Sequence, residues 1–258
     1  MKYVKNEKDI EYLREGGKML AAVLDEVQKL VRVGVTTQEL DAYAEKRICE
    51  LGALPSFKGY RNSLDEPEFP TTLCTSVNNE IVHAPASSRV LKDGDIVGID
   101  IGLKFYRDGR DYFVDMARTV GVGKISREAK KLLSVTKKSL DIGLQQVRSG
   151  NYISDIGKAI QVYVESHGFS VVRALVGHGV GYKVHEEPRI PNYYTDKMPK
   201  IEIQKGMALA IEPMVNMGSY EIETLDDGWT IATKDGSLSA HFEHTVAVTE
   251  KGCEILTV

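Results

Sequence analysis

The spacing of apolar residues changes period several times along the chain, and each change predicts an element. Residues 7 to 31 place Ile10, Leu13, Met19, Leu20, Val23, Leu24, Val27 and Leu30 near helical spacing, which predicts an amphipathic helix. A second helix is predicted after Thr36, whose hydroxyl can cap it while Glu39 completes a capping box. Leu40, Tyr43, Ala44 and Ile48 make its apolar stripe, and Gly52 ends it. Residues 55 to 70 hold no regular pattern and carry Pro55, Gly59, Pro67 and Pro70, so they read as a loop. Residues 72 to 83 read as extended and end in His83. Two further helices are expected over 126 to 148 and 153 to 167, on the stripes Ala129, Leu132, Leu140, Leu144 and Ile156, Ile160, Val164. Strands are expected near 169–176, 207–215, 229–233 and 240–248. A glycine-rich turn at 177–181 and a loop with Pro188, Pro191 and Pro199 separate them.

The most informative stretch is 94 to 119. Val97, Ile99, Ile101, Leu103 and Phe105 alternate with Ile96, Gly98, Asp100, Gly102 and Lys104, the period of a strand with one face in the core. Asp108-Gly109 is a strong two-residue hairpin signal, because both positions need positive φ. That turn fixes the register: Asp100 faces Ala117 and Asp115 faces Gly102. Asp100 and Asp115 are then diagonal neighbours on one face, roughly 7–8 Å apart at the backbone. Gly98 and Gly102 beside them leave room on that face. Two carboxylates this close repel unless a proton or a cation separates them.

The two halves of the chain also resemble each other. Val31-Arg-Val-Gly34, Leu40 and Gly52 are echoed by Val147-Arg-Ser-Gly150, Ile156 and Gly168, and Gly94 with Ile99-Asp100 by Gly206 with Ile211-Glu212. Each half runs helix, helix, strands. This suggests a single domain over 1–258 built from two pseudo-symmetric halves, about 7–120 and 121–250. Its class would be α+β, with a central antiparallel sheet and helices outside. Such symmetry brings Asp100 and Glu212 toward a shared axis.

Composition narrows the classes. A chain of 258 residues that is 42 % hydrophobic can bury a large core. A net charge of −4 argues against a nucleic-acid footprint. No apolar run reaches the ~20 residues of a membrane span. Three widely spaced cysteines, Cys49, Cys74 and Cys253, fit neither a disulfide framework nor a cysteine zinc site and suggest a reducing cytoplasm.

Five side chains point to one chemistry. Asp100 and Asp115 lie on the hairpin, His178 in Gly177-His178-Gly179, Glu212 in an apolar strand, and Glu243 in His241-Phe-Glu243-His. Taken singly, each acid reads equally as a structural salt bridge. A buried acid among Leu, Ala and Ile needs a partner, however, and four carboxylates with one imidazole suit two first-row divalent ions.

These residues resemble the type I methionine aminopeptidases, of the pita-bread fold shared with prolidase and creatinase. The resemblance is carried by Cys74-Thr-Ser-Val-Asn78 through His83, Asp115-Met-Ala-Arg-Thr119, Gly177-His-Gly-Val-Gly181, His185-Glu-Glu-Pro188, Ile211-Glu-Pro-Met214 and Phe242-Glu-His-Thr245, and covers nearly the whole chain. It implies metal ligation by Asp100, Asp115, His178, Glu212 and Glu243, with Asp115 and Glu243 as bridges. It implies two divalent ions drawn from Co, Mn, Fe or Zn, and catalytic roles for His83, His185 and Glu212. Tyr60, Phe69, Cys74 and Trp229, with both histidines, would bind substrate, the first four lining a methionine pocket. The implied activity is hydrolytic removal of N-terminal methionine from peptides and nascent proteins whose next residue is small. The implied setting is a cytoplasmic monomer without membrane or nucleic-acid specificity, and the ribosome is a candidate partner. The same fold leaves two alternatives: an Xaa-Pro dipeptidase or aminopeptidase P, and a binding protein without catalysis.

The chain departs from the family in three places. Asp100 to Asp115 spans fifteen positions where the family usually has eleven, which makes Asp111 a rival ligand. In the predicted register Asp111 faces Tyr106, roughly 20 Å along the strand from Asp100. A hairpin lengthened by two residues on each strand keeps the same face, so Asp115 is the expected ligand. Residues 61–68 enlarge the loop between Tyr60 and Phe69, and Ala84 follows His83 where Gly is common.

Overall fold

A computed structural model describes residues 3–61 and 67–258. Most of the enlarged loop predicted at 61–68 therefore lies outside the described residues. Helix α1 spans Glu7–Leu30 and α2 spans Thr37–Glu50. Strands β1 (Leu54–Pro55), β2 (Leu73–Val77) and β3 (Glu80–Val82) precede a long hairpin of β4 (Ile96–Arg107) and β5 (Arg110–Gly121). Helices α3 (Arg127–Gln146) and α4 (Ile153–Ser166) follow. The remainder is β6 (Ser170–Val171), β7 (Val176–Gly179), β8 (Glu186–Pro191), β9 (Ala208–Ile211), β10 (Met214–Asn216), β11 (Ile222–Thr224), β12 (Ile231–Thr233), β13 (Ser239–His241), β14 (Glu243–Thr249) and β15 (Gly252–Ile255).

The helices start where side chains satisfy the first free N–H groups. Asn6 and Asp9 form a reciprocal capping box on α1, and Thr36 and Glu39 form the expected one on α2. Ser126 caps α3. The apolar stripes of α1 and α2 pack on Ile99, Ile101, Leu103 and Met116 of the hairpin. Those of α3 and α4 pack on Leu209, Ile211 and Val246. A fully buried Leu or Ile here contributes about 1.5–3 kcal/mol relative to exposure. Helices thus cover the apolar alternates of both halves of the sheet, and the opposite alternates, Asp100 and Glu212, face a cleft.

The main sheet has nine strands in the order β1-β4-β5-β14-β9-β7-β8, with β2 also on β4 and β15 also on β14. All of its pairings are antiparallel. Smaller sheets order as β13-β10-β6 and β11-β12-β3.

The hairpin has the predicted register, with Asp100 on Ala117 and Gly102 on Asp115. Asp108 and Gly109 both have positive φ, 45° and 83°. The room expected beside the acids is occupied at Gly102, where Ser56 and the Phe57 ring pack against the backbone. Both strand faces are therefore largely buried, and the acids are not solvated on an open face.

Elsewhere the strands differ from expectation. The glycine-rich turn at 177–181 is in part strand β7, and the proline loop after it contains strand β8. Strand β8 lies at the sheet edge, where Pro188 and Pro191 need not donate to a neighbour. The strand expected at 207–215 breaks after Ile211, and that at 240–248 breaks at Phe242. Both breaks are crossings between sheets. Strand β9 pairs β14 in the large sheet, whereas β10 pairs β13 in a small one. Pro213 lacks an N–H for the ladder, and its carbonyl accepts from Phe242 N–H across the two breaks. Glu212 and Glu243 stand at this double crossing.

Candidate active site

Five adjacent strands deliver one candidate ligating group each. In sheet order, β4 carries Asp100, β5 Asp115, β14 Glu243, β9 leads into Glu212, and β7 carries His178. The pairings make them neighbours: Glu243 faces Ala117, His244 faces Ile211, and His178 faces Ala210. All five groups line one cleft of about 760 Å³.

His178 is set up as a ligand by its own backbone. Its Nδ1 lies 2.9 Å from the Gly179 carbonyl, so that nitrogen carries the proton and Nε2 offers a lone pair. Nε2 stands 3.4 Å from Asp115 Oδ2 and 3.5 Å from Glu212 Oε1. Ligand atoms of Asp115, His178 and Glu243 all lie within 4.8 Å of one another. The Thr245 hydroxyl donates to Asp115 Oδ1 at 2.9 Å, which orients the carboxylate and leaves Oδ2 to the cleft.

The acids are uncomfortable without a cation. Burial, then repulsion from Asp115 and Glu212, pushes Asp100 up to about 7, against the pull of His241. Burial likewise pushes Glu212 up to about 8 and raises Asp115 and Glu243. Asp100 Oδ1 is buried with no hydrogen-bond partner among the described residues. An oxygen-rich donor set with an orphaned carboxylate oxygen and one imidazole lone pair fits divalent first-row ions.

The cleft wall holds every other residue singled out in the sequence. His83, His185, Tyr60, Phe69, Cys74 and Trp229 all line it. His83 adopts φ of 59°, uncommon for a residue other than glycine. Burial and the neighbouring imidazoles of His241 and His178 hold it near pKa 4. His185 is also held low by its enclosure and by His178 and His83, although its ring keeps an open face on cleft water. The Tyr60 hydroxyl lies 2.9 Å from His185 Nδ1, and the rings of His178 and His185 meet edge to face at 4.6 Å. Phe69 and Trp229 meet edge to face at 5.2 Å. Burial raises the Cys74 thiol well above its ordinary range, so it is neutral. Asp111, the rival ligand, is exposed, faces Tyr106 and lies 3.8 Å from Lys104, away from the cleft.

Sequence reasoning missed His241. Its ring is buried and Nε2 stands 3.6 Å from Glu212 Oε2. That nitrogen has no hydrogen-bond partner among the described residues. The signal was available, since His241 precedes Glu243 by two residues and strand period places both on one face.

Comparison with known proteins agrees with this geometry. The profile of metallopeptidase family M24 matches residues 11–250. A methionine aminopeptidase of Clostridium perfringens is 50 % identical over 99 % of this chain and 98 % of its own length. The crystal structure of methionine aminopeptidase from Thermotoga maritima superposes with a TM-score of 0.92 at 40 % identity, over 100 % of this chain and 99 % of that one. Prolidase from Pyrococcus horikoshii shares only the fold, with a TM-score of 0.77 at 20 % identity, over 100 % of this chain and 64 % of that one. The architecture is the pita-bread fold. The chain belongs to metallopeptidase family M24 and, within it, to the methionine aminopeptidases.

Proposed function

We propose that this chain hydrolyses the first peptide bond of peptides and nascent proteins that begin with methionine followed by a small residue. One observation carries the reading: a single cleft gathers four carboxylates and an imidazole lone pair at one end of a wall made by Tyr60, Phe69, Cys74 and Trp229. Asp100, Asp115, His178, Glu212 and Glu243 would hold two divalent ions. When bound, such ions supply Lewis acidity and lower the pKa of water.

The chain's own groups do the rest. The neutral free amine of a peptide N-terminus would bind at the ion-loaded cluster, which would restrict cleavage to the first bond. Phe69 and Trp229 present ring edges and faces, and Cys74 a neutral sulfur, to an unbranched thioether side chain. Glu212, at the cleft surface, is placed to take a proton from the attacking water and pass it to the departing amine. His83, with a pKa near 4, is neutral at pH 7 and available for a hydrogen bond near the scissile nitrogen. His185, oriented by Tyr60, would donate to the carbonyl oxygen as charge develops there.

The whole chain would act as one catalytic domain of two pseudo-symmetric halves. We place it in the cytoplasm as a monomer that meets nascent chains at the ribosome. Three cysteines without a disulfide support a reducing compartment. Among the described residues no helix is long and apolar enough to cross a membrane.

The test is release of methionine from Met-Ala-Ser by chelator-treated protein titrated with Mn²⁺ or Co²⁺. Activity returning with the metal is the expected result. Metal binding with cleavage of Ala-Pro peptides alone would overturn the substrate assignment.

A further inference from the structure

The loop that carries His185 is held from beneath by the N-terminal segment. Strand β7 ends at Gly179 and β8 begins at Glu186, so Val180 to His185 form a short connection between them. Glu186 bends its carboxylate back over this loop. Oε1 accepts from the N–H groups of Tyr182 and Lys183, and Oε2 accepts from Lys5 Nζ at 2.5 Å. The side chains of Lys5 and Glu186 are only 3 % and 17 % exposed.

Lys5 is itself fixed. Its N–H donates to the Gly206 carbonyl, and Val4 bridges to Met207. Its ammonium lies 4.0 Å from the centre of the Tyr182 ring. The Tyr182 hydroxyl donates to Asp9 Oδ2, and Tyr112 of β5 donates to Asp9 Oδ1. Asp9 is the residue that closes the capping box of α1. Gly181 has φ of 133°, and a Cβ there would come within 2.6 Å of Lys5 Cε, so this close approach requires glycine. The Gly181 carbonyl accepts from Phe113 N–H.

A surface loop of six residues ordinarily wanders. This one is tied to α1, β5 and the segment before α1 through Tyr182, Gly181 and Glu186, on either side of His185. A buried pair is weak evidence for stability alone, because desolvation offsets much of the attraction. A pair that holds a loop in register is a different matter, since a displacement near 1 Å can cost about 100-fold in rate.

We propose that Lys5 is a positioning residue. Through Glu186 it fixes the loop so that His185 points at the scissile carbonyl. This rests on the role given to His185 above.

The test uses the full chain loaded with Mn²⁺ and the variants Lys5→Met, Lys5→Arg and Glu186→Gln. Lys5→Met keeps the aliphatic stem and removes the charge. It is expected to lower kcat for Met-Ala-Ser at least ten-fold, to change KM less than two-fold and to leave Mn²⁺ affinity unaltered. Amide exchange at 182–186 should quicken in the same protein, and Lys5→Arg should restore most of kcat. Glu186→Gln, which keeps an oxygen for the backbone donors, should lie between wild type and Lys5→Met and serves if Lys5→Met does not fold. A lowered melting temperature with kcat within two-fold of wild type would show a merely structural pair and overturn the proposal. Parallel loss of kcat and Mn²⁺ affinity would also overturn it, by showing general collapse of the site. If wild type itself fails to cleave Met-Ala-Ser, the functional reading fails. Amide exchange then decides the clamp alone, and unchanged protection at 182–186 in Lys5→Met sinks it.

Discussion

His178 turns its Nε2 to within 3.4 Å of Asp115 Oδ2, while its other ring nitrogen is held by the Gly179 carbonyl. One ring nitrogen therefore faces a group of acids that repel one another, and the balance depends on protons when metal is removed. Asp100 titrates near 7 and Glu212 near 8, against ordinary values of 3.8 and 4.5. Between the ordinary and the folded values the folded protein binds more protons than the unfolded chain, so its stability falls as pH rises. His83 and His244, both held near 4 against 6.5, and His185 and His241, also lowered by burial, oppose this at lower pH, where the unfolded chain takes up protons that the folded one refuses. Above about 7.5 the histidines drop out and only the acids remain. The melting temperature of chelator-treated protein is expected to fall between about pH 7.5 and 8.5, and saturating Mn²⁺ should remove the slope. A flat or rising profile in calorimetry would mean that the acids are not strained.

The lengthened hairpin gives a direct contrast between two aspartates. Asp115 is 3 % exposed, accepts from Thr245 and lines the cleft, whereas Asp111 is exposed four residues away. Asp115→Asn keeps the shape but removes a charge from the ligand set, and turnover should drop by at least about 100-fold. Asp111→Asn should stay within two-fold of wild type, because exposed pairs such as that with Lys104 contribute about 0–1 kcal/mol. Steady-state kinetics on the two variants decides it, and the reverse ranking would contradict the register.

That contrast was legible because an Asp-Gly turn and a period of two are local signals. The same holds for the helices, whose caps at Thr36 and Ser126 lie beside the apolar stripes they start. What stayed hidden depends on partners distant in sequence. Strand β8 contains two prolines and reads as a loop until it is seen at the sheet edge beside β7. The breaks at Glu212-Pro213 and Phe242 exist because two strand pairs leave one sheet for another together, which neither segment declares alone. The residues of the cleft wall were legible only through resemblance. Nothing local to Tyr60 or Trp229 says that they come to the same cavity.

His241 is the residue that sequence reasoning overlooked. It faces Met214 across β10 and β13, which brings its ring beside Glu212 from the small sheet rather than the large one. Its Nε2 has no hydrogen-bond partner among the described residues and Glu212 Oε2 is 3.6 Å away, so it can steady the carboxylate once Glu212 carries its charge. His241→Ala is expected to weaken Mn²⁺ binding by about 10-fold or more, the usual effect of removing an outer hydrogen-bond partner. His241→Gln, which keeps a donor at similar reach, should recover part of it. Isothermal titration with Mn²⁺ reads both, and equal affinity in His241→Ala and wild type would remove His241 from the site.

Trp229 is the only tryptophan in the chain, so its fluorescence reports on one wall of the cleft. Its backbone is pinned by Asp227, whose carboxylate accepts from the N–H groups of Trp229 at 2.9 Å and Thr230 at 2.8 Å. Its ring is braced by Phe69. If this wall measures methionine, then free methionine titrated into Mn²⁺-loaded protein should shift the emission and saturate. Trp229→Ala should raise KM for Met-Ala-Ser by about 10-fold or more, the equivalent of losing ~1.5–3 kcal/mol of apolar contact, with a smaller change in kcat. The four acids and His178 lie on other elements, so Mn²⁺ affinity should be untouched. Emission indifferent to methionine, together with an unchanged KM, would place the methionine pocket on a different wall of the cleft.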